Sequence, residues 1–227
     1  MRALRRLIPV LLMLAAGALP AHGEDPLPGR PQVTAMTFTL MQGETDACGP
    51  GCSRWIAAEG AILAATPLAF LEALQSLGGE KPPILIHSDG GVVEAAMALG
   101  RLMRRAGLAA VVARTDRSGL VPAPGLDGAC HGACLYLLLA GTERAVAPGA
   151  VVSIQPLAFP GPAAEPFPDA MRARLTAAAL VRVRAYLGEM GIEATLADFL
   201  DGERYAPFYP DRGFLEMHGI VTRDQPW

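Results

Sequence analysis

Residues 129 to 134 read ACHGAC, two cysteines four apart that frame a histidine and a glycine. Four chemistries use such a pattern. The C-x3-C spacing lies within the range of structural zinc ligands, a thiolate beside His131 could act as a nucleophile, the pair could close a disulfide, or the stretch could be a turn that once carried catalysis. A second pair, Cys48 and Cys52 in ACGPGC, makes four cysteines in all. An even count in an oxidising compartment favours disulfides over zinc or a free thiol, but three pairings are possible and the sequence does not choose among them. We therefore expect neither metal nor cofactor. The second stretch with chemical potential is SDGG, Ser88 to Gly91. Adjacent glycines between a buried strand and a helix let backbone N–H groups approach a ligand, and the helix dipole adds positive potential, so such a turn can stabilise an oxyanion. His87 fits a hydrogen-bonded strand end, His218 a surface position, and neither Ser88 nor Ser153 has an evident base.

The elements that must position these turns read as α/β. VTAMTFTL (33–40) and RWIAAEGAI (54–62) are expected strands, and Thr66 followed by Pro67 is expected to cap a helix carrying Phe70, Leu74 and Leu77 until Gly78 and Gly79 stop it. PILIHS (83–88) is a short continuous apolar run, as a strand buried on both faces should be. After SDGG, Val93, Ala96, Met97, Gly100 and Met103 mark the inner face of a helix, and LAAVVAR (108–114) is the next strand. Residues 118–128 read as loop, ACHGAC as the start of a helix through Leu139, RAVA and AVVSIQ as strands, and FPGPAAEPFP (159–168) as loop. Met171, Leu175, Ala179, Val183, Leu187 and Met190 share one face of a long helix, with helical segments at 196–200 and 214–218 to follow.

Export is the reading of the N-terminus. Arg2, Arg5 and Arg6 precede an apolar run from Leu7 to Leu19, and Ala21 and Gly23 are spaced as a cleavage site requires. That is the pattern of a signal peptide over residues 1–23, followed by a proline-rich leader over 24–32 and a domain over 33–227. The apolar run is too short to span a bilayer and no later stretch is long enough, so no membrane span is expected in the mature form. Without residues 1–23 the chain keeps 16 basic against 22 acidic residues, a net of −6, which speaks against nucleic acid as a partner.

Taken in order, GAI...TP, ILIHSDGGVVEAAMALGRLMRRAGL, CHGACLYLLLAGTERAVAPGAVVSIQP, YLGEMGI and FLEMHGIVT resemble the exported relatives of Clp-type serine peptidases, within the wider ClpP/crotonase superfamily. The likeness runs from Trp55 to Thr222. It implies a single-domain spiral of ββα units, an oxyanion turn matched by Ser88, Asp89, Gly90 and Gly91, and a nucleophile turn matched by Cys130 to Cys134. The family's serine falls on Gly132, followed by Ala133, and its histidine falls on Ile154 or Gln155, depending on a one-residue gap. Glycine has no side chain to react, and neither isoleucine nor glutamine is a base. Asp89 is expected to sit close to a developing oxyanion and disfavour it. The resemblance therefore implies an exported, catalytically degenerate ClpP-like protein whose vestigial cleft binds a peptide or another protein. The alternative is a hydrolase of the same superfamily that uses another nucleophile or the oxyanion cleft alone.

Overall fold

The computed structural model describes residues 33–157, 168–201 and 206–227. The expected signal peptide and leader, and the loop at 159–167, lie outside the described residues. Strands β1 (Thr37–Gln42), β2 (Arg54–Glu59), β3 (Ile84–His87) and β4 (Ala110–Val112) are followed by the short hairpin β5 (Thr115–Asp116) and β6 (Ala123–Pro124). Then come β7 (Asp127–His131), β8 (Arg144–Val146) and β9 (Gly149–Ser153). The main sheet has the order β1-β2-β3-β4-β8, parallel except for β1, while β7 and β9 form a separate parallel pair.

The apolar runs become strands because both faces of the sheet are covered. Ile56, Ala58, Ile84, Ile86, Ala110 and Val112 enter one core, and the alternate residues Trp55, Leu85, Val111 and Ala113 enter another. That is the period of two that a pleated strand imposes. Helices α1 (Thr66–Ser76), α2 (Val93–Ala106) and α3 (Cys134–Ala140) contribute Phe70, Leu99, Met103 and Leu138 to the first core. The second core packs Trp55 against Cys48 and Trp227, and the Trp55 indole N–H donates to Thr115 Oγ1 at 2.9 Å. Helix α4 (Asp169–Glu189), a 3₁₀ segment (Ala194–Leu200) and α5 (Arg212–Met217) complete the first core with Val183, Leu187, Leu196 and Leu215. Gly100 lets α2 approach α4. A Cβ there would lie 1.9 Å from the Tyr186 hydroxyl, which donates to the Tyr136 carbonyl at 2.6 Å.

Several expectations need correction. The first strand runs over 37–42, and the second ends at Glu59 because Gly60, at φ +117°, turns the chain, leaving Ala35 and Ala61 paired by one isolated bridge. Thr66 does not cap α1. Ala65 stands at that position, and the Thr66 hydroxyl instead accepts from the Leu63 N–H at 2.8 Å. Residues 118–128 are not all loop, since they include β6 and the start of β7, and Cys130 and His131 end a strand rather than open a helix. On α4, Ala179, Val183 and Leu187 are buried as expected, but Met171 and Leu175 remain exposed, so the helix meets the core only from its middle onward.

Candidate functional site

The glycine turns at 88–91 and 130–134 meet. The Ser88 N–H donates to the Ala129 carbonyl at 2.8 Å, and the His131 N–H donates to the Ser88 carbonyl at 3.0 Å, which ties the end of β3 to β7. Ser88 is buried, its hydroxyl donating to the Gly60 carbonyl at 2.6 Å and accepting from the Gly90 N–H at 3.1 Å. It holds the turn and offers no reactive oxygen. Gly90 and Gly91 have φ of +94° and +143°. A Cβ on Gly90 would lie 2.5 Å from the His131 carbonyl oxygen and 3.2 Å from the Ala133 nitrogen, and one on Gly91 would lie 2.1 Å from the Ile62 carbonyl oxygen. Close approach of three backbone segments, and not turn geometry alone, dictates glycine at both positions.

Two backbone donors stay free where these segments converge. Neither the Gly91 nor the Ala133 N–H has an acceptor among the described residues. Both residues line a cavity of about 310 Å³ together with Val92, Val93 and Glu94 of the α2 start, Gly132 and Tyr136 beside the α3 start, and Gln155, Pro156 and Leu157 after β9. The α2 N-terminus adds positive potential there. Such a pair of donors can hold a carbonyl oxygen. Asp89 is exposed and is not among the residues that line the cavity.

Gly132 has φ +51°, and the space its side chain would take is occupied by Gln155. An ideal Cβ at 132 would lie 2.8 Å from Gln155 Oε1. Ile154 is fully buried and its backbone pairs with Phe208. The cysteines pair within each C-x3-C motif, Cys48 with Cys52 and Cys130 with Cys134, with Cα separations of 5.0 and 5.2 Å. The second bridge closes a ring around His131, Gly132 and Ala133, and both of its cysteines are fully buried. Among the described residues no group of three or more His, Cys, Asp and Glu could hold a metal ion, and no helix is long and apolar enough to cross a membrane.

His87 behaves as a strand-end residue, its Nδ1 accepting from the Ala129 N–H at 3.0 Å, so the ring proton sits on Nε2. His218 is not a plain surface residue, because its ring packs against Phe199 and Phe214. Sequence reasoning missed the contact between His131 Nδ1 and Ser153 Oγ at 2.7 Å, which gives Ser153 the partner it was expected to lack. His131 and Ser153 are directly paired residues of β7 and β9, and that register is a property of the fold, invisible to residue spacing. Ser153 is fully buried and neither residue lines the cavity. Glu94 and Tyr136 were also missed, since each is a single polar residue in the first turn of an otherwise apolar helix start and the quoted motifs assign neither a role. Burial foremost, and the charge of Glu94 second, push the Tyr136 phenol well above its ordinary range.

No protein-family model matches the chain, and no curated protein does. Solved structures do. A mutant of the 1510-N membrane-bound stomatin-specific protease is 16% identical with a TM-score of 0.51, covering 72% of this chain and 74% of its own. Another mutant of that protease, in complex with a substrate peptide, is 17% identical with a TM-score of 0.50, over 72% and 70%. A ClpP1 mutant from Listeria monocytogenes is 19% identical with a TM-score of 0.47, over 71% and 84%. At such identities the likeness is one of fold: the chain has the ClpP-like α/β architecture.

Proposed function

We propose that this chain is an exported ClpP-like protein that has lost serine-peptidase chemistry and uses the retained cleft to bind a peptide or a segment of another protein. The carrying observation is the Gln155 carboxamide over Gly132 inside the cavity. In this reading Gln155, rather than Ile154, stands where the family places its histidine, and Gly132 stands where it places its serine. The two free N–H groups support retained recognition of a peptide carbonyl. The peptide complex of a fold neighbour makes peptide the first ligand to try. Two disulfides and the arginine-then-apolar start support export, to the periplasm in a bacterium with two membranes.

The His131–Ser153 contact is the feature that a competing hydrolase reading would use. A nucleophile must reach its substrate, and Ser153 is fully buried outside the cavity. A fluorophosphonate probe added to the native protein is therefore expected to leave every serine unmodified by intact-mass spectrometry. Stoichiometric labelling of Ser153 would sink the proposal.

A further inference from the structure

One buried polar group in the wall of the cleft is not explained by carbonyl recognition. Tyr136 is 1% exposed, lines the cavity, and its hydroxyl has no hydrogen-bond partner among the described residues. An unpartnered buried hydroxyl is a standing cost that a ligand relieves by supplying a partner. What kind of partner depends on the neighbours. Glu94, the one charged residue of the lining, carries a carboxylate whose field reaches this phenol. The phenol stays protonated and neutral, and its oxygen can still accept a donor. Gln155 adds a carboxamide oxygen, and no lysine, arginine or histidine lines the cavity.

Three acceptor groups, one of them negatively charged, suit a cationic head. The α2 N-terminus opposes it with about half a positive charge, which is less than the full charge of Glu94. Arg182 Nη2 lies 3.2 Å from Glu94 Oε1, yet both side chains are about half exposed, at 51% and 54%. A solvated pair of that kind is weak and can be exchanged for a ligand cation held beside a buried hydroxyl. Val93, Pro156 and Leu157 offer apolar surface for a methylene stem.

We infer that the cavity is a side-chain subsite for a lysine residue of the bound peptide, its ammonium reaching the Tyr136 hydroxyl and the Glu94 carboxylate while the backbone carbonyl faces the Gly91 and Ala133 N–H groups. This rests on the peptide-binding reading. The test is calorimetric titration of the full mature chain with four unstructured peptides that differ only at one central residue: lysine, glutamine, norleucine or glutamate. The lysine peptide is expected to bind tightest, roughly tenfold or more ahead of glutamine and norleucine. In Glu94→Gln the lead of lysine over glutamine is expected to shrink to about twofold, and in Tyr136→Phe lysine is expected to weaken while norleucine does not. Equal affinity for all four peptides, a norleucine preference, or an undiminished lysine preference in Glu94→Gln overturns the subsite and leaves the cleft reading standing. No binding by any peptide overturns that reading and the subsite with it.

Discussion

Gly91→Ala is expected to cost the fold about 3 kcal/mol or more and to abolish ligand binding by whatever folded protein remains. Its φ of +143° lies where L-residues rarely go, and an added Cβ would lie 2.1 Å from the Ile62 oxygen and 2.8 Å from the Ile62 carbonyl carbon. Those atoms cannot step aside, because the Ile62 carbonyl accepts from the Val92 N–H and the Ile62 N–H donates to the Gly90 carbonyl, both at 2.8 Å. The methyl group would push apart the bridge that holds the α2 start against the chain after β2, and the free Gly91 donor would move with it. Gly78→Ala is the control. Gly78 also has a positive φ, +60°, but nothing lies within 4 Å of its added Cβ, so it carries only the left-handed penalty of about 1–2 kcal/mol. Urea denaturation of the two variants checks the contrast. Equal midpoints would mean that the turn tolerates a side chain and that close approach does not dictate its glycines.

The double substitution Gly132→Ser with Gln155→His is expected to create reactivity that neither single change creates. The side chain at 155 already reaches position 132, its Oε1 lying 2.8 Å from the added Cβ. Serine at φ +51° accepts a strain of about 1–2 kcal/mol, the left-handed penalty again, and imidazole in place of the carboxamide supplies the base that the present pair lacks. The Gly91 and Ala133 N–H groups, which have no acceptor among the described residues, are the donors proposed to receive an oxyanion. A positioned general base contributes roughly 10²–10⁴-fold, so fluorophosphonate labelling at position 132 in the double variant is expected to exceed that of Gly132→Ser alone by about 10²-fold. Equal labelling of the two folded variants would show that position 155 does not face position 132 productively.

Much of the scaffold was legible in the chain. PILIHS, SDGG and the Val93–Met103 face gave β3, the turn and α2 nearly to the residue, because continuous apolar runs bounded by proline and glycine have few other solutions in an α/β fold. The unread parts share a cause. β7 is made of Asp127, Gly128, Ala129, Cys130 and His131, small and mixed residues without alternation, and it is a strand because β9 pairs with it. The His131–Ser153 contact and the Cys130–Cys134 pairing follow from that register and from the turn at Gly132, neither of which leaves a local signature. Thr66 and Pro67 correctly mark a helix start, but the threonine hydroxyl is spent on the preceding loop. Met171 and Leu175 carry the right period and stay exposed, since periodicity gives a face and not what covers it. The cavity was legible only at its two glycine turns, and its polar side chains, Glu94 and Tyr136, came from separate helices.

In the proposed function the cleft binds peptide without cutting it. Mass spectrometry of an unstructured peptide pool, incubated with the purified protein and split into bound and free fractions, tests it in one step. A retained subset of peptides with unchanged masses after prolonged incubation is the expected result. New fragments that accumulate with time, and that disappear in Ser153→Ala or His131→Ala, would contradict it.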